Sequence, residues 1–126
     1  MIIAVDFDGT CVDHKYPDIG EPAPHAIETM QELVKQGDKL ILWTMRSGKA
    51  LEEAEQWFKK NEISLWGSQR NPEQDSWTNS PKCYAQLYID DAAFGCPLVF
   101  PKDFTRPCVD WLKVRKFFWR IPNAIS

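Results

Sequence analysis

Apolar runs alternate with helical periods along most of the chain. Residues 2–5 are an uninterrupted apolar run, Ile-Ile-Ala-Val, which is the pattern of a short strand buried on both faces. Residues 24–35 then set Ile27, Met30, Leu33 and Val34 at helical spacing, and Gly37 stops the period. Residues 40–43 read as a second strand. Residues 47–61 read as a second helix, opened by Ser47 and carrying Leu51, Ala54, Trp57 and Phe58 on one side. Beyond it the pattern predicts a short third strand over 63–66, a short helix over 80–85 opened by Ser80-Pro81, a fourth strand over 86–89 and a fifth at 98–100. Residues 111–119 form a closing helix, with Trp111, Leu112, Val114, Phe117 and Phe118 among Lys113, Arg115 and Lys116, and Arg120 just beyond. The rival reading of that segment is a basic aromatic docking surface.

Strands alternating with helices predict an α/β fold, a parallel sheet covered on both faces. The polar stretch 67–79 is rich in turn formers and reads as an ordered loop near the carboxyl ends of the strands. At 126 residues the chain is expected to be a single domain without a substantial cap. A net charge of -3 supplies no general attraction for nucleic acid or anionic lipid. Cys11, Cys83, Cys96 and Cys108 have no C-x-x-C spacing and no neighbouring histidine pair, so reduced thiols are expected and a zinc site is not. The first apolar run lacks the basic flank and length of a signal peptide, and no stretch approaches a membrane span. The expectation is a soluble cytoplasmic protein with no membrane partner.

Candidate chemistry sits where strands should end. Asp6 and Asp8 follow the first strand, Thr44 the second, and Asp90-Asp91 the fourth, while Lys82 lies just ahead of that fourth strand. In an open parallel sheet the carboxyl ends share one edge, so these groups can converge on one crevice. Two carboxylates as close as Asp6 and Asp8 repel unless a hard cation or a shared proton offsets them.

In these motifs, taken in order, the chain resembles the haloacid dehalogenase superfamily: Asp6-Phe7-Asp8-Gly9-Thr10, then Leu42-Trp43-Thr44, then Lys82, then Tyr88-Ile89-Asp90-Asp91. The resemblance covers roughly residues 1 to 100, and its first motif is the most specific. It implies a three-layer α/β/α Rossmann-like domain with about five parallel strands in the order 3-2-1-4-5. It also implies a phosphatase: Asp6 attacks phosphorus to form an aspartyl-phosphate, and Asp8 is general acid and then general base. Thr44 and Lys82 would hold the phosphoryl oxygens. Asp6, Asp8 (through its backbone carbonyl) and Asp90 would hold Mg2+, with Asp91 a ligand or a support behind one.

Arg46, two residues past Thr44, either grips phosphate or pairs with an acidic neighbour. His14 and Lys15 lie in the loop after the first motif and either touch substrate or are solvated, and His25 starts the first helix. The expected partner is a phosphorylated substrate, a small molecule or the phosphorylated end of a macromolecule, with nucleic acid involved only as substrate. An uncapped crevice also suits a homo-oligomer. The alternatives are a non-catalytic phosphate-binding or degenerate module of the same fold and a receiver-type phosphoacceptor domain. A receiver is disfavoured because its acidic pair, threonine and lysine run in a different order.

Overall fold

The computed structural model describes residues 1–119. Arg120, counted with the basic residues of the closing segment, lies outside the described residues. The central sheet has four parallel strands in the order β3-β2-β1-β4, made by β1 (Ile2–Val5), β2 (Lys39–Leu42), β3 (Gly67–Ser68) and β4 (Leu87–Ile89). Ile3, Val5, Leu40, Leu42 and Ile89 are buried, as expected for strands covered on both sides.

α1 (Ala26–Lys35) joins β1 to β2, and α2 (Gly48–Lys60) joins β2 to β3. Both connections step the same way across the sheet, so right-handed crossovers put both helices on one face. α3 (Trp111–Phe118) packs beside α1. Met30 and Leu33 of α1, Ala54 and Phe58 of α2, and Trp111, Val114 and Phe118 of α3 join Ile3, Val5 and Leu42 in one apolar cluster. Phe7 sits within it, 5.4 Å edge-on from Trp57 and 5.9 Å from Phe58. Asp110 caps α3, its carboxylate accepting from the backbone N–H groups of Leu112 and Lys113, so the closing segment is a helix laid on the core.

The opposite face differs from the three-layer expectation. Ala4 and Ile41, which alternate with the helix-facing residues, are buried with no α-helix from the β3-to-β4 connection above them. That connection is irregular apart from a 3-10 turn at Gln74–Ser76, and it inserts the buried Asn71, Gln74, Cys83 and Ala85. The helix expected over 80–85 is absent because its backbone groups are taken by a side chain. The Gln74 amide donates to the carbonyls of Ser80 and Lys82 (3.1 and 2.7 Å) and accepts from the N–H of Tyr84 (2.7 Å). Asn71 donates to the Tyr84 carbonyl (3.1 Å).

Two strand expectations are also corrected. Residues 63–66 do not pair as a strand: Ile63 turns inward with its N–H on the carbonyl of Phe58, and the ladder to β2 starts only at Trp66, whose N–H meets the carbonyl of Leu40. The expected fifth strand is short, β5 (Leu98–Val99), and pairs antiparallel with β6 (Cys108–Val109) in a separate ribbon. The ribbon is held to the sheet's upper edge by the Val109 N–H, which donates to the carbonyl of Gly9.

Among the described residues no helix is long and apolar enough to cross a membrane. The four cysteines are free, and burial pushes their thiols above the ordinary thiol range.

Gln74→Leu keeps side-chain bulk but strands two carbonyls and an N–H over the helix-free face. It is expected to lower stability by roughly 3 kcal/mol, read from urea unfolding followed by tryptophan fluorescence.

Candidate active site at the carboxyl edge of the sheet

The first motif leaves β1 still in register, the Asp6 N–H donating to the carbonyl of Ile89 at 2.9 Å. The chain then curls tightly. The N–H groups of Thr10 and Cys11 return to the carbonyl of Phe7, and the Cys11 thiol reaches the carbonyl of Asp6. Gly9 makes this curl with φ +83, and a Cβ there would collide with the His14 ring and the Asp91 carboxylate. Trp111 of α3 clamps the turn from below through its indole N–H, 2.7 Å from the carbonyl of Thr10. The Thr10 hydroxyl is buried between the two strand ends: it donates to Asp6 at 2.9 Å and accepts from the Asp91 N–H at 3.1 Å.

Asp6, Asp90 and Asp91 therefore meet, each presenting a carboxylate oxygen within 4.8 Å of the others. Burial, the Asp90 charge and the hydrogen-bonded Asp91 together raise Asp6 from 3.8 to about 8. Asp91 moves the other way. Burial opposes its ionisation, but hydrogen bonds from His14 and from protonated Asp6 hold it below the usual carboxylate range. Burial and neighbouring charge thus disfavour ionisation of Asp6, while the donors around Asp91 favour it there.

Asp8 faces a different partner. Arg46, only 1% exposed, grips it bidentately, Nε and Nη2 each donating to one oxygen at 2.8 and 2.9 Å. The same guanidinium donates to the carbonyls of Pro17, Asp18 and Ala50, so all five of its N–H groups are used. Its faces lie over the rings of Phe7 and Tyr16. Of the two sequence readings of Arg46, the salt bridge to an acidic neighbour is the one seen, and no donor is left for a phosphate. The Asp8 carboxylate correspondingly stands apart from the Asp6–Asp90–Asp91 cluster, bound to Arg46.

Thr44 reaches the same edge. Gln69 fixes its backbone by accepting from its N–H and donating to its carbonyl, at 2.8 and 2.7 Å. The Thr44 hydroxyl accepts from the Arg46 N–H at 3.2 Å, which leaves its own hydrogen to donate. Asp6, Asp8, Thr44, Arg46, Asp90 and Asp91 all line one open cleft of about 740 Å3.

Lys82 is not brought there. Its ammonium lies over the ring of Tyr88, 5.7 Å from the centroid, on the strand position paired with Ala4, two residues short of Asp6. With no α-helix between β3 and β4, the segment carrying it runs behind the sheet. Lys15 is exposed and outside the cleft, and His25 stands at the start of α1, bonded to Glu28.

Two cleft residues carried little signal in the sequence. His14 bonds Asp91 through Nε2 at 3.0 Å, so the loop after the first motif does enter the site. Arg106 lines the cleft beside His14, brought in by contacts 92 residues apart between Thr105 and Asp13. Asp13 is buried, which opposes its charge, but the Thr105 N–H and hydroxyl and the His14 N–H hold it below the usual carboxylate range.

Because the folded Asp6 keeps a proton that the unfolded chain releases above 3.8, its contribution to stability is complete below that pH and is lost as pH rises to about 8. Thermal melts in EDTA should therefore fall in Tm across that window, and Asp6→Asn should flatten the slope. Gly9→Ala is expected to destabilise the protein by about 1–3 kcal/mol in the same melts, from its left-handed backbone and the crowding of His14 and Asp91.

No protein-family model matches the chain, and no curated protein matches it. The chain is similar to a solved structure described as that of a conserved protein coded by a locus of Bacteroides thetaiotaomicron. The two are 36% identical with a TM-score of 0.78, over 95% of this chain and 90% of that one. Identity at that level along nearly the whole of both chains is common descent, and this protein belongs to the same family as that conserved Bacteroides protein.

Proposed function

We propose that the protein is a magnesium-dependent phosphomonoester hydrolase of the haloacid dehalogenase type, working through an aspartyl-phosphate on Asp6. The observation that carries this reading is the meeting of Asp6, Asp90 and Asp91 within 4.8 Å on a cleft that also holds Thr44 and Asp8. The strand order β3-β2-β1-β4 supports it as well, being the shared part of the order 3-2-1-4-5 that the resemblance implies.

An all-carboxylate set fits a hard divalent cation, and burial together with the Asp90 charge, which raise Asp6, are what such a cation would offset. Mg2+ held by Asp6, Asp90 and Asp91 would offset that charge and the charge of the phosphoryl oxygens. In the first displacement an Asp6 oxygen, its proton released to solvent, bonds to phosphorus as the ester P–O bond breaks, and the leaving oxygen takes the proton that Asp8 carries into the step. Water then attacks phosphorus, its proton passes to Asp8, and the Asp6–phosphorus bond breaks to release inorganic phosphate. Thr44 donates its hydroxyl hydrogen to a phosphoryl oxygen. Arg46 is a positioning residue that fixes Asp8, each of whose oxygens keeps a lone pair beyond the Arg46 bond.

A second reading, a phosphate-binding module without turnover, is favoured by one feature, the bidentate grip of Arg46 on the group asked to move protons.

Para-nitrophenyl phosphate separates the two. The wild-type protein should release nitrophenolate with Mg2+ and not with EDTA. Asp6→Asn should abolish release, and Asp8→Asn should lower it by about 10²- to 10⁴-fold. Folded wild-type protein with no metal-dependent release would leave the binding module as the answer.

A further inference from the structure

A phosphoryl dianion entering a cleft already lined by carboxylates needs cationic donors besides the metal. Arg46 has none to offer, and Lys82 lies against Tyr88 behind the sheet. Among the described residues, Arg106 is the remaining arginine or lysine on the cleft wall. Its side chain is exposed, and among the described residues only its Nη2 is engaged, at 2.5 Å from Nδ1 of His14. A guanidinium carries five N–H donors, so the rest have no partner among those residues.

The position of Arg106 is set with care for an exposed residue. Arginine only donates and carboxylate only accepts, so His14 must accept at Nδ1 and donate from Nε2 to Asp91. That makes a continuous chain from Arg106 through His14 to the carboxylate cluster. Next door, the Thr105 backbone N–H and hydroxyl bind the carboxylate of the buried Asp13, at 3.1 and 2.9 Å to one oxygen, pinning the loop to the segment after the first motif.

We propose that Arg106 binds the phosphoryl oxygens of the substrate, taking the part the sequence suggests for Lys82, with Asp13, Thr105 and His14 positioning it. The proposal rests on the reading of the Asp6 cleft as a phosphate-ester site. The donor comes from the ribbon after the fourth motif, far along the chain from Lys82.

The test compares wild type, Arg106→Ala, Arg106→Lys and Lys82→Ala for binding of inorganic phosphate in Mg2+ by calorimetry and for turnover of para-nitrophenyl phosphate. Arg106→Ala should weaken phosphate binding by about tenfold or more, the scale of one lost charge-assisted contact. Its KM should rise more than its kcat falls, with an unchanged Tm. Arg106→Lys should recover part of the affinity, since charge is kept and the fork is lost. Lys82→Ala should match wild type in both assays. Arg106→Ala binding phosphate as wild type does, or Lys82→Ala losing it instead, overturns the assignment. If wild type binds phosphate but hydrolyses no ester, the hydrolase reading falls, while a tenfold loss in Arg106→Ala still upholds this one.

Discussion

Crowded negative charge at the ends of two adjacent parallel strands is the constraint around which this protein is arranged. β1 and β4 pair in register, so Asp6 and Asp90-Asp91 cannot avoid one another. Nearly every polar detail nearby answers that repulsion. Thr10 donates into the gap, His14 donates to Asp91, and Asp6 retains a proton. Asp8, one residue beyond, is drawn off by Arg46, so the fourth carboxylate does not add to the same pile of charge. A fold that spends so many contacts on keeping anions together is using them for something, since a structural turn would be more stable with fewer.

The apolar core explains how such a site stays in place. Phe7, between the two aspartates of the first motif, points into the helix-facing cluster and is wedged by Trp57 and Phe58. Alternation along an extended backbone then sends Asp6 and Asp8 the other way. Trp111 adds a second anchor from α3, so the turn at Gly9 and Thr10 is held from both the sheet and the helix layer.

Residues whose place follows from strand direction were legible in the sequence. Asp6, Asp8, Thr44, Asp90 and Asp91 all lie at carboxyl ends, and a parallel sheet puts those ends on one edge whatever the loops do. Lys82 was not legible, because its place depends on how the chain crosses from β3 to β4, and buried amides of Asn71 and Gln74 replaced the expected helix there. Arg46 was ambiguous for a related reason: its partners are carbonyls of Pro17 and Asp18, supplied by a loop with no periodic signal. His14 and Arg106 reach the cleft by contacts between distant segments, which spacing does not reveal. The fifth strand failed on pairing alone. Leu98 and Val99 are apolar enough for a sheet, yet they found Cys108 and Val109 first.

The lopsided covering of the sheet gives the molecule two hemispheres of unequal cohesion. On one side three helices interlock through large apolar side chains. On the other, order depends on a few amide groups of Asn71 and Gln74 holding an irregular strap over Ala4 and Ile41. Opening such a strap costs less than global unfolding, so amide protons there exchange with solvent long before those of α1 and β1. The carboxylate-lined edge is bolted to the firm hemisphere and can keep its shape while the weaker one breathes.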